Sequence, residues 1–298
     1  MPVTVGMIGL GIMGSAMAGN LVKAGFPVVG YDILPEPRRR LAAQGGIAAR
    51  SNVEVARRAR VAVTALPSSA ALESVVEDLV RAQPKELIVV EASTLPLDVK
   101  EAARRRLRGV GATMLDCPLS GTGAQARTKD LSVYASGSRQ AYTACVPVFE
   151  GFARAHYYIG EFGTGSKMKY VANLLVAIHN VAAAEAMVLA IKAGLDPALV
   201  LKVIGDGAGT SRMFQVRGPM MVADDYSDAS MKVEVWQKDM NIIGNFATKL
   251  DCPTPLFAAS APLYTAAMAS GHAKDDTAVV CAVLAEMAGV KRGRKRRD

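Results

Sequence analysis

Two groups of residues in this chain have types and spacing suited to chemistry. The first is Lys169 and Asn173, four residues apart in a segment with a helical pattern. At that spacing the two side chains share one helix face. A lysine near a helix start meets a terminus that is already partly positive, which favours its neutral amine. A poised neutral amine suits general acid/base work. Read by spacing alone, the pair is equally a surface lysine beside a stray amide. The second group is Gly9-Leu10-Gly11-Ile12-Met13-Gly14, followed by Asp32. Gly9 allows a tight strand-to-helix turn, Gly11 lets the backbone approach a pyrophosphate, and Gly14 lets the helix pack close to the strand. The free N–H groups at the helix start then face phosphates. Asp32 stands where a carboxylate accepts from both hydroxyls of an adenosine ribose. The chemistry implied is dinucleotide binding. NAD is expected over NADP because Asp32 repels a 2′-phosphate, with Arg38-Arg39-Arg40 as the counter-argument.

These residues need elements to place them. Strands are expected at Val3 to Ile8, Pro27 to Tyr31, Val61 to Leu66, Leu87 to Glu91, Thr113 to Asp116, Leu131 to Ala135 and His156 to Ile159. Helices are expected at Ser15 to Ala24, Ala71 to Ala82, Leu97 to Arg108 and Gln140 to Phe152. Strands separated by helices of this length imply βαβ units and a mainly parallel sheet, an α/β Rossmann-like domain. After Gly165 the strand signals stop and the chain reads as helix with short breaks. The expected division is 1–163 for a dinucleotide-binding domain, 164–290 for an all-helical substrate and oligomerisation domain, and 291–298 for a basic tail, read as frayed. The helical part opens with a long linking helix, 166–193. It is apolar on nearly all faces from Val171 to Ile191. Asn173, His179, Asn180 and Glu185 interrupt it, and such a polar quartet is costly in lipid. The reading is a soluble helix buried between domains or subunits.

Composition fits a soluble enzyme of 298 residues. The four cysteines and three histidines are scattered, which argues against a metal site and against a secreted disulfide framework. The default location is cytoplasmic. Of the net charge of +8, the last eight residues carry +5, from six basic residues and one acid, leaving +3 for the rest. That balance is ordinary for a folded domain and makes a nucleic-acid partner unlikely as a general reading. Trp236 is expected in a core or interface, Asp275, Asp276 and Thr277 as caps of the last helix, and Tyr31 beside the adenine.

Further blocks extend the pattern: Met17, Ala18, Asn20 and Leu21 after the glycines, Leu66-Pro67, Ser93-Thr94 with Pro96, Asp116-Cys117-Pro118-Leu119-Ser120-Gly121, Gly163 to Asn173, and Lys238-Asp239. In this order, over residues 3 to 290, the chain resembles the β-hydroxyacid dehydrogenases, the group that includes 3-hydroxyisobutyrate dehydrogenase and tartronate semialdehyde reductase. The resemblance implies an oxidoreductase that interconverts a small 3-hydroxy carboxylate and its semialdehyde or keto acid. It implies that Lys169 is the general acid/base and that Asn173 holds the substrate or orients the lysine. Ser120 and Gly121 would bind the substrate carboxylate. Lys238 would sit near the nicotinamide end, and Leu66, Pro67 and Thr94 would line the cofactor groove. The nicotinamide supplies the hydride chemistry, and the protein orients and polarises.

The chain departs from the family pattern at three places. Thr122 replaces the second glycine of a Ser-Gly-Gly, Lys129 replaces a glycine, and Ala172 replaces the first amide of an Asn-Asn pair. Thr122 brings a hydroxyl near the carboxylate site, which suits a polyhydroxylated acid such as glycerate or threonate. It could equally only narrow the pocket. A homodimer or homotetramer is expected. An imine reductase on the same scaffold is the alternative enzyme, and a non-catalytic binding module the alternative class. Lys169 counts against the first, and Lys169 with Asn173 against the second.

Overall fold

The protein is described from a computed structural model covering residues 2–292. It divides into two compact units, Met1–Lys169 and Tyr170–Asp298. In the first, short apolar runs become strands: β1 (Val5–Ile8), β2 (Val28–Tyr31), β3 (Ile47–Ala48), β4 (Val61–Thr64), β5 (Ile88–Glu91), β6 (Thr113–Asp116), β7 (Leu119–Ser120), β8 (Ser132–Ser136) and β9 (Ala155–Gly160), of which β1 and β4 are buried at every residue. They form one sheet in the order β3-β2-β1-β4-β5-β6-β8-β7, with β9 on β8. Pairing is parallel from β3 through β6 and between β8 and β9. It is antiparallel where β8 meets β6 and β7. The order reverses between β1 and β4. Open sheets of this kind bind ligands beyond the strand carboxyl ends at such a reversal.

The connecting helices are α1 (Ile12–Lys23), α2 (Pro35–Ala43), α3 (Asn52–Arg58), α4 (Ser69–Ala82), α5 (Leu97–Arg108), α6 (Gly123–Arg127) and α7 (Arg139–Phe152). Alternation along a strand sends neighbours to opposite faces. Met7 joins Met17, Leu21 and Phe149 in the core under α1 and α7. Ile8 joins Val55, Leu72 and Leu107 in the core under α3, α4 and α5. Each fully buried aliphatic side chain of this kind contributes about 1.5–3 kcal/mol. Serine caps start several helices: the hydroxyls of Ser51, Ser68 and Ser138 accept first-turn N–H groups of α3, α4 and α7.

Several expected boundaries move. α1 begins at Ile12 rather than Ser15, directly after Gly11. β4 ends at Thr64, so Leu66 lies in the following loop. The two-residue strands β3 and β7 and the single-turn helix α6 carry no sequence period, being shorter than one repeat of any pattern.

Helix α8 (Thr164–Lys192) spans the division between the units. The second unit continues with α9 (Pro197–Gly205), α10 (Arg212–Ala223), α11 (Val233–Lys249), α12 (Pro255–Ala269) and α13 (Val280–Met287). Helix α8 is long and apolar enough to cross a membrane. Its buried amides have protein partners instead: Asn180 Nδ2 donates to Tyr264 Oη (3.1 Å) and to the Thr277 carbonyl (2.9 Å). Asn180 is fully buried and its Nδ2 donates both bonds within the protein, as on a core helix. In the single chain Val171, Leu175 and Leu189 of this helix are exposed. Trp236 is buried and packs on Tyr264, ring centroids 6.0 Å apart. Burial pushes the Tyr264 hydroxyl up to about 12.

A buried ion pair organises this unit. Asp276 Oδ1 accepts from Arg217 Nε (3.1 Å) and from the Ala278 N–H (3.0 Å). Its Oδ2 accepts from the N–H and hydroxyl of Ser230 (both 2.9 Å) and from the Met231 N–H (3.1 Å). Asp276 therefore does cap the turn before α13, but it also fixes the chain entering α11. Burial alone would raise its pKa. Arg217 and the N–H donors outweigh that and hold it below the ordinary 3.8.

The basic tail is not frayed from its first residues. Arg292 has a side chain only 10% exposed, 3.5 Å from Asp224 Oδ1, and it donates to the Met221 carbonyl. Asp224 is the left-handed C-cap of α10. A guanidinium there meets the negative end of the helix, which explains the docking. The rest of the expected tail, 293–298, lies outside the described residues.

Candidate active site

The glycine fingerprint lies after β1, and its three glycines do different things. Gly9 has φ +85°, and a Cβ there would come within 2.3 Å of the Ala65 carbonyl oxygen after β4. A Cβ on Gly14 would come within 1.9 Å of the Gly9 carbonyl oxygen. Both are demanded by the protein's own packing. Gly11 is not: among the described residues, a Cβ there meets no atom of another part of the chain within 4 Å. Gly11 also heads α1 without any side-chain cap. An uncapped helix start beside an open glycine is an anion cradle that the protein leaves to a ligand. The residues present therefore fit a dinucleotide pyrophosphate. Leu10 is buried, Ile12 exposed and Met13 half-buried, so Leu10 is a core anchor of the turn.

Asp32 follows β2. Its Oδ2 accepts from the Leu10 N–H (2.7 Å) and its Oδ1 from the Leu34 N–H (2.9 Å). The carboxylate is thus fixed to the fingerprint turn, and each oxygen keeps a further lone pair for a ribose hydroxyl. Arg39 and Arg40 are exposed partners of Glu36, each 3.6 Å away. Arg38 differs: its guanidinium lies 5.4 Å from the Tyr31 ring centroid, and Nε donates to the Leu34 carbonyl. Tyr31 therefore packs against Arg38 and the core of its own unit.

The loops after β4 and β5 carry Leu66-Pro67 and Ser93-Thr94, and Ser120-Gly121 lies at the end of β7, just beyond β6. They are tied together by a group that sequence reasoning did not single out. The Ser93 hydroxyl accepts from the Leu66 N–H (2.8 Å). Lys100 of α5, fully buried, donates to the Ser93 carbonyl (2.7 Å), to Asp116 Oδ1 (2.8 Å) and toward Glu91 Oε2 (2.6 Å). Asp116 in turn accepts from the Ser166 N–H (2.8 Å) and hydroxyl (2.7 Å) at the start of α8. Burial alone would push the Lys100 ammonium toward neutrality. Asp116 and Glu91 outweigh it, and its pKa is raised. Nothing in the sequence distinguishes Lys100, which sits among arginines and acids on a helix whose other charges face solvent.

Gly121 has φ +132°, and a Cβ there would meet Leu131 Cδ2 at 2.6 Å, so the turn after Ser120 admits only glycine. Thr122 has a local task that its type alone did not show. It is the N-cap of α6, in a capping box with Gln125. Its hydroxyl accepts from the Gln125 N–H, leaving its own proton available.

Lys169 is half-buried, and it lies in the second turn of α8 because the helix starts at Thr164. The helix-terminal field fades beyond the first turn, so Lys169 lies outside its strongest reach, unlike the position expected from sequence. Asn173, one turn on, is buried. Its Nδ2 donates to Asp239 Oδ2 (2.9 Å), while Asp239 Oδ1 lies 3.2 Å from Lys238 Nζ. Asp239 thus joins two of the expected site residues. Its place in the Lys-Asp block was visible in the sequence, but its bridging role was not.

Comparison with known proteins identifies the family. Residues 4–160 match the NAD binding domain of 6-phosphogluconate dehydrogenase. Residues 163–284 match the NAD-binding region of NADP-dependent 3-hydroxyisobutyrate dehydrogenase. The chain is 36% identical to L-threonate dehydrogenase of Cupriavidus necator, over 93% of this chain and 94% of that protein. It is similar in fold to the crystal structure of 3-hydroxyisobutyrate dehydrogenase from Salmonella typhimurium, with a TM-score of 0.87, 31% identity, and 94% and 99% of the two chains covered. It is likewise similar to Psf3 in complex with NADP+ and 2-OPP, with a TM-score of 0.86, 26% identity, and coverage of 94% and 99%. A dinucleotide cradle at a sheet reversal and a helical second unit therefore belong to one established design: the chain is an NAD(P)-dependent oxidoreductase acting on a CH–OH group, and it belongs to the β-hydroxyacid dehydrogenases.

Proposed function

We propose that this enzyme oxidises, with NAD in preference to NADP, a small hydroxyl-rich carboxylic acid of the glycerate or threonate type, with Lys169 as general base. The observation that carries the reading is the Lys169–Asn173 pair on one turn of α8, with Asn173 locked through Asp239 to Lys238. The nicotinamide, when bound, supplies the hydride acceptor. Gly11, Ile12 and Met13 at the start of α1 would hold the pyrophosphate, Gly9, Leu10 and Gly14 shape the turn that presents them, and Asp32 would hold the adenosine ribose. Leu66, Pro67 and Thr94 line the groove. Ser120 and the Gly121 N–H receive the substrate carboxylate. Asn173 holds the reacting hydroxyl, and Lys169 Nζ takes its proton. In the reverse direction the same ammonium returns the proton to the carbonyl oxygen. Lys238 closes the nicotinamide end.

The similarity to an L-threonate dehydrogenase supports the hydroxyl-rich acid over 3-hydroxyisobutyrate. The free proton of Thr122 supports it independently: a site that bonds a substrate hydroxyl discriminates strongly against an analogue lacking it. The reading includes a cytoplasmic homodimer or homotetramer, as light scattering on the purified protein would register. The decisive experiment is a panel of glycerate, threonate, 3-hydroxyisobutyrate, their carbonyl products and cyclic imines, each with both cofactors. Highest kcat/KM on threonate or glycerate with NAD is expected. Activity on cyclic imines with none on hydroxy acids would overturn the reading.

A further inference from the structure

We propose that Lys100 is a positioning residue for the reaction, holding the cofactor loops, the carboxylate loop and the start of α8 in one register. The inference rests on the assignment of Lys169 as the base. Lys100 Nζ donates to the Ser93 carbonyl (2.7 Å) and to Asp116 Oδ1 (2.8 Å), and it is ion-paired with Glu91 Oε2 at 2.6 Å. Through these partners one buried charge reaches four backbone segments. Ser93 holds the Leu66 N–H after β4. Glu91 Oε1 holds the Ser93 N–H after β5 (2.9 Å). Asp116 ends β6, four residues before Ser120. The same carboxylate holds Ser166, three residues before Lys169 and so within one turn of it. A Cβ on Gly165 would come within 2.3 Å of the Tyr134 carbonyl oxygen, so the first turn of α8 sits directly on β8. Rotation of that turn would swing Lys169.

Stability alone does not account for such a cluster. Replacing a buried ion network by neutral groups of similar volume is often neutral or stabilising. Short charge-assisted bonds do fix direction, which apolar contacts do not. Misplacement by about 1 Å costs about 100-fold in rate.

The test removes the charges together and keeps their volumes, with Lys100→Met, Glu91→Gln and Asp116→Asn combined. The expected result is a folded protein whose NADH affinity falls far less than its kcat. Its kcat falls about 100-fold, with the pH profile of the remaining activity unmoved. Amide hydrogen exchange over 163–169 should speed by about tenfold. Parental kcat in the folded triple variant would overturn the inference. So would a loss of NADH affinity equal to the loss of kcat. Ser166→Ala, which deletes only the hydroxyl on Asp116, provides a second reading should the triple variant not fold. It should lower kcat by about tenfold, and parental kcat there would equally overturn the inference. Lys169→Ala runs in parallel. If that variant turns over normally, the base assignment fails. If it is inactive while the Lys100 and Ser166 variants are normal, only the positioning role fails.

Discussion

Lys169 and Asp32 carry the sharpest predictions at the scale of single residues. A positioned acid/base contributes about 10²–10⁴ in rate. Lys169→Ala should therefore lower turnover by about that factor and leave NADH binding, measured by calorimetry, near the parent value. Its partner Asn173 is fixed by Asp239 rather than free to follow the substrate. Asp239→Asn should accordingly lower kcat while its thermal midpoint moves little. Asp32 has two duties, since both of its oxygens already hold backbone N–H groups. Asp32→Ser should narrow or reverse the NAD-to-NADP ratio of kcat/KM. An NADP preference in the unmodified protein would instead show that Arg38, the half-buried member of its arginine run, dominates.

Single elements are held by groups whose loss can be priced. Thr122 caps α6, and removing such a cap costs about 1 kcal/mol, so Thr122→Ala should lower unfolding free energy by about that amount. If the hydroxyl also meets substrate, Thr122→Ala should in addition reduce the ratio of kcat/KM for threonate over 3-hydroxyisobutyrate. A uniform fall for both acids would leave the cap as its only task. Arg217 is the cation that keeps Asp276 charged in a buried place. Arg217→Met strands that carboxylate. Breaking a buried pair costs about 3–5 kcal/mol, which denaturant unfolding would register.

At the scale of the molecule, each unit has its own buried ionic centre, and the two respond to opposite ends of the pH scale. Asp276 has a folded pKa below its ordinary 3.8. Its stabilisation is full above that ordinary value and is lost as pH falls through the folded value. Lys100 has a folded pKa above its ordinary 10.5. Its stabilisation is full below 10.5 and is lost as pH rises through the folded value. The contribution of both centres is therefore constant across the neutral range. Calorimetric midpoints should show an acid limb weakened by Asp276→Asn and an alkaline limb weakened by the neutral Lys100 cluster.

Local pattern by itself determined the α/β order, the glycine fingerprint with its acid, and the helical second half. Those features depend on residues near one another in the chain: alternation of buried runs, a turn that only Gly9 can make, an i, i+4 pair on a helix. Sequence also placed Asp116, Ser120, Lys169 and Lys238 in recognisable blocks. It could not show that Lys100 is the hub beneath them, because one lysine on a charged helix looks like any other until the fold buries it. Nor could it show that Thr122 is a cap, that Arg292 docks on α10, or that Asp239 joins Asn173 to Lys238. Each of these depends on contacts between residues distant in sequence or on where an element starts. Tertiary packing decides such contacts, because burial makes an unpaired polar group costly and so selects its partner.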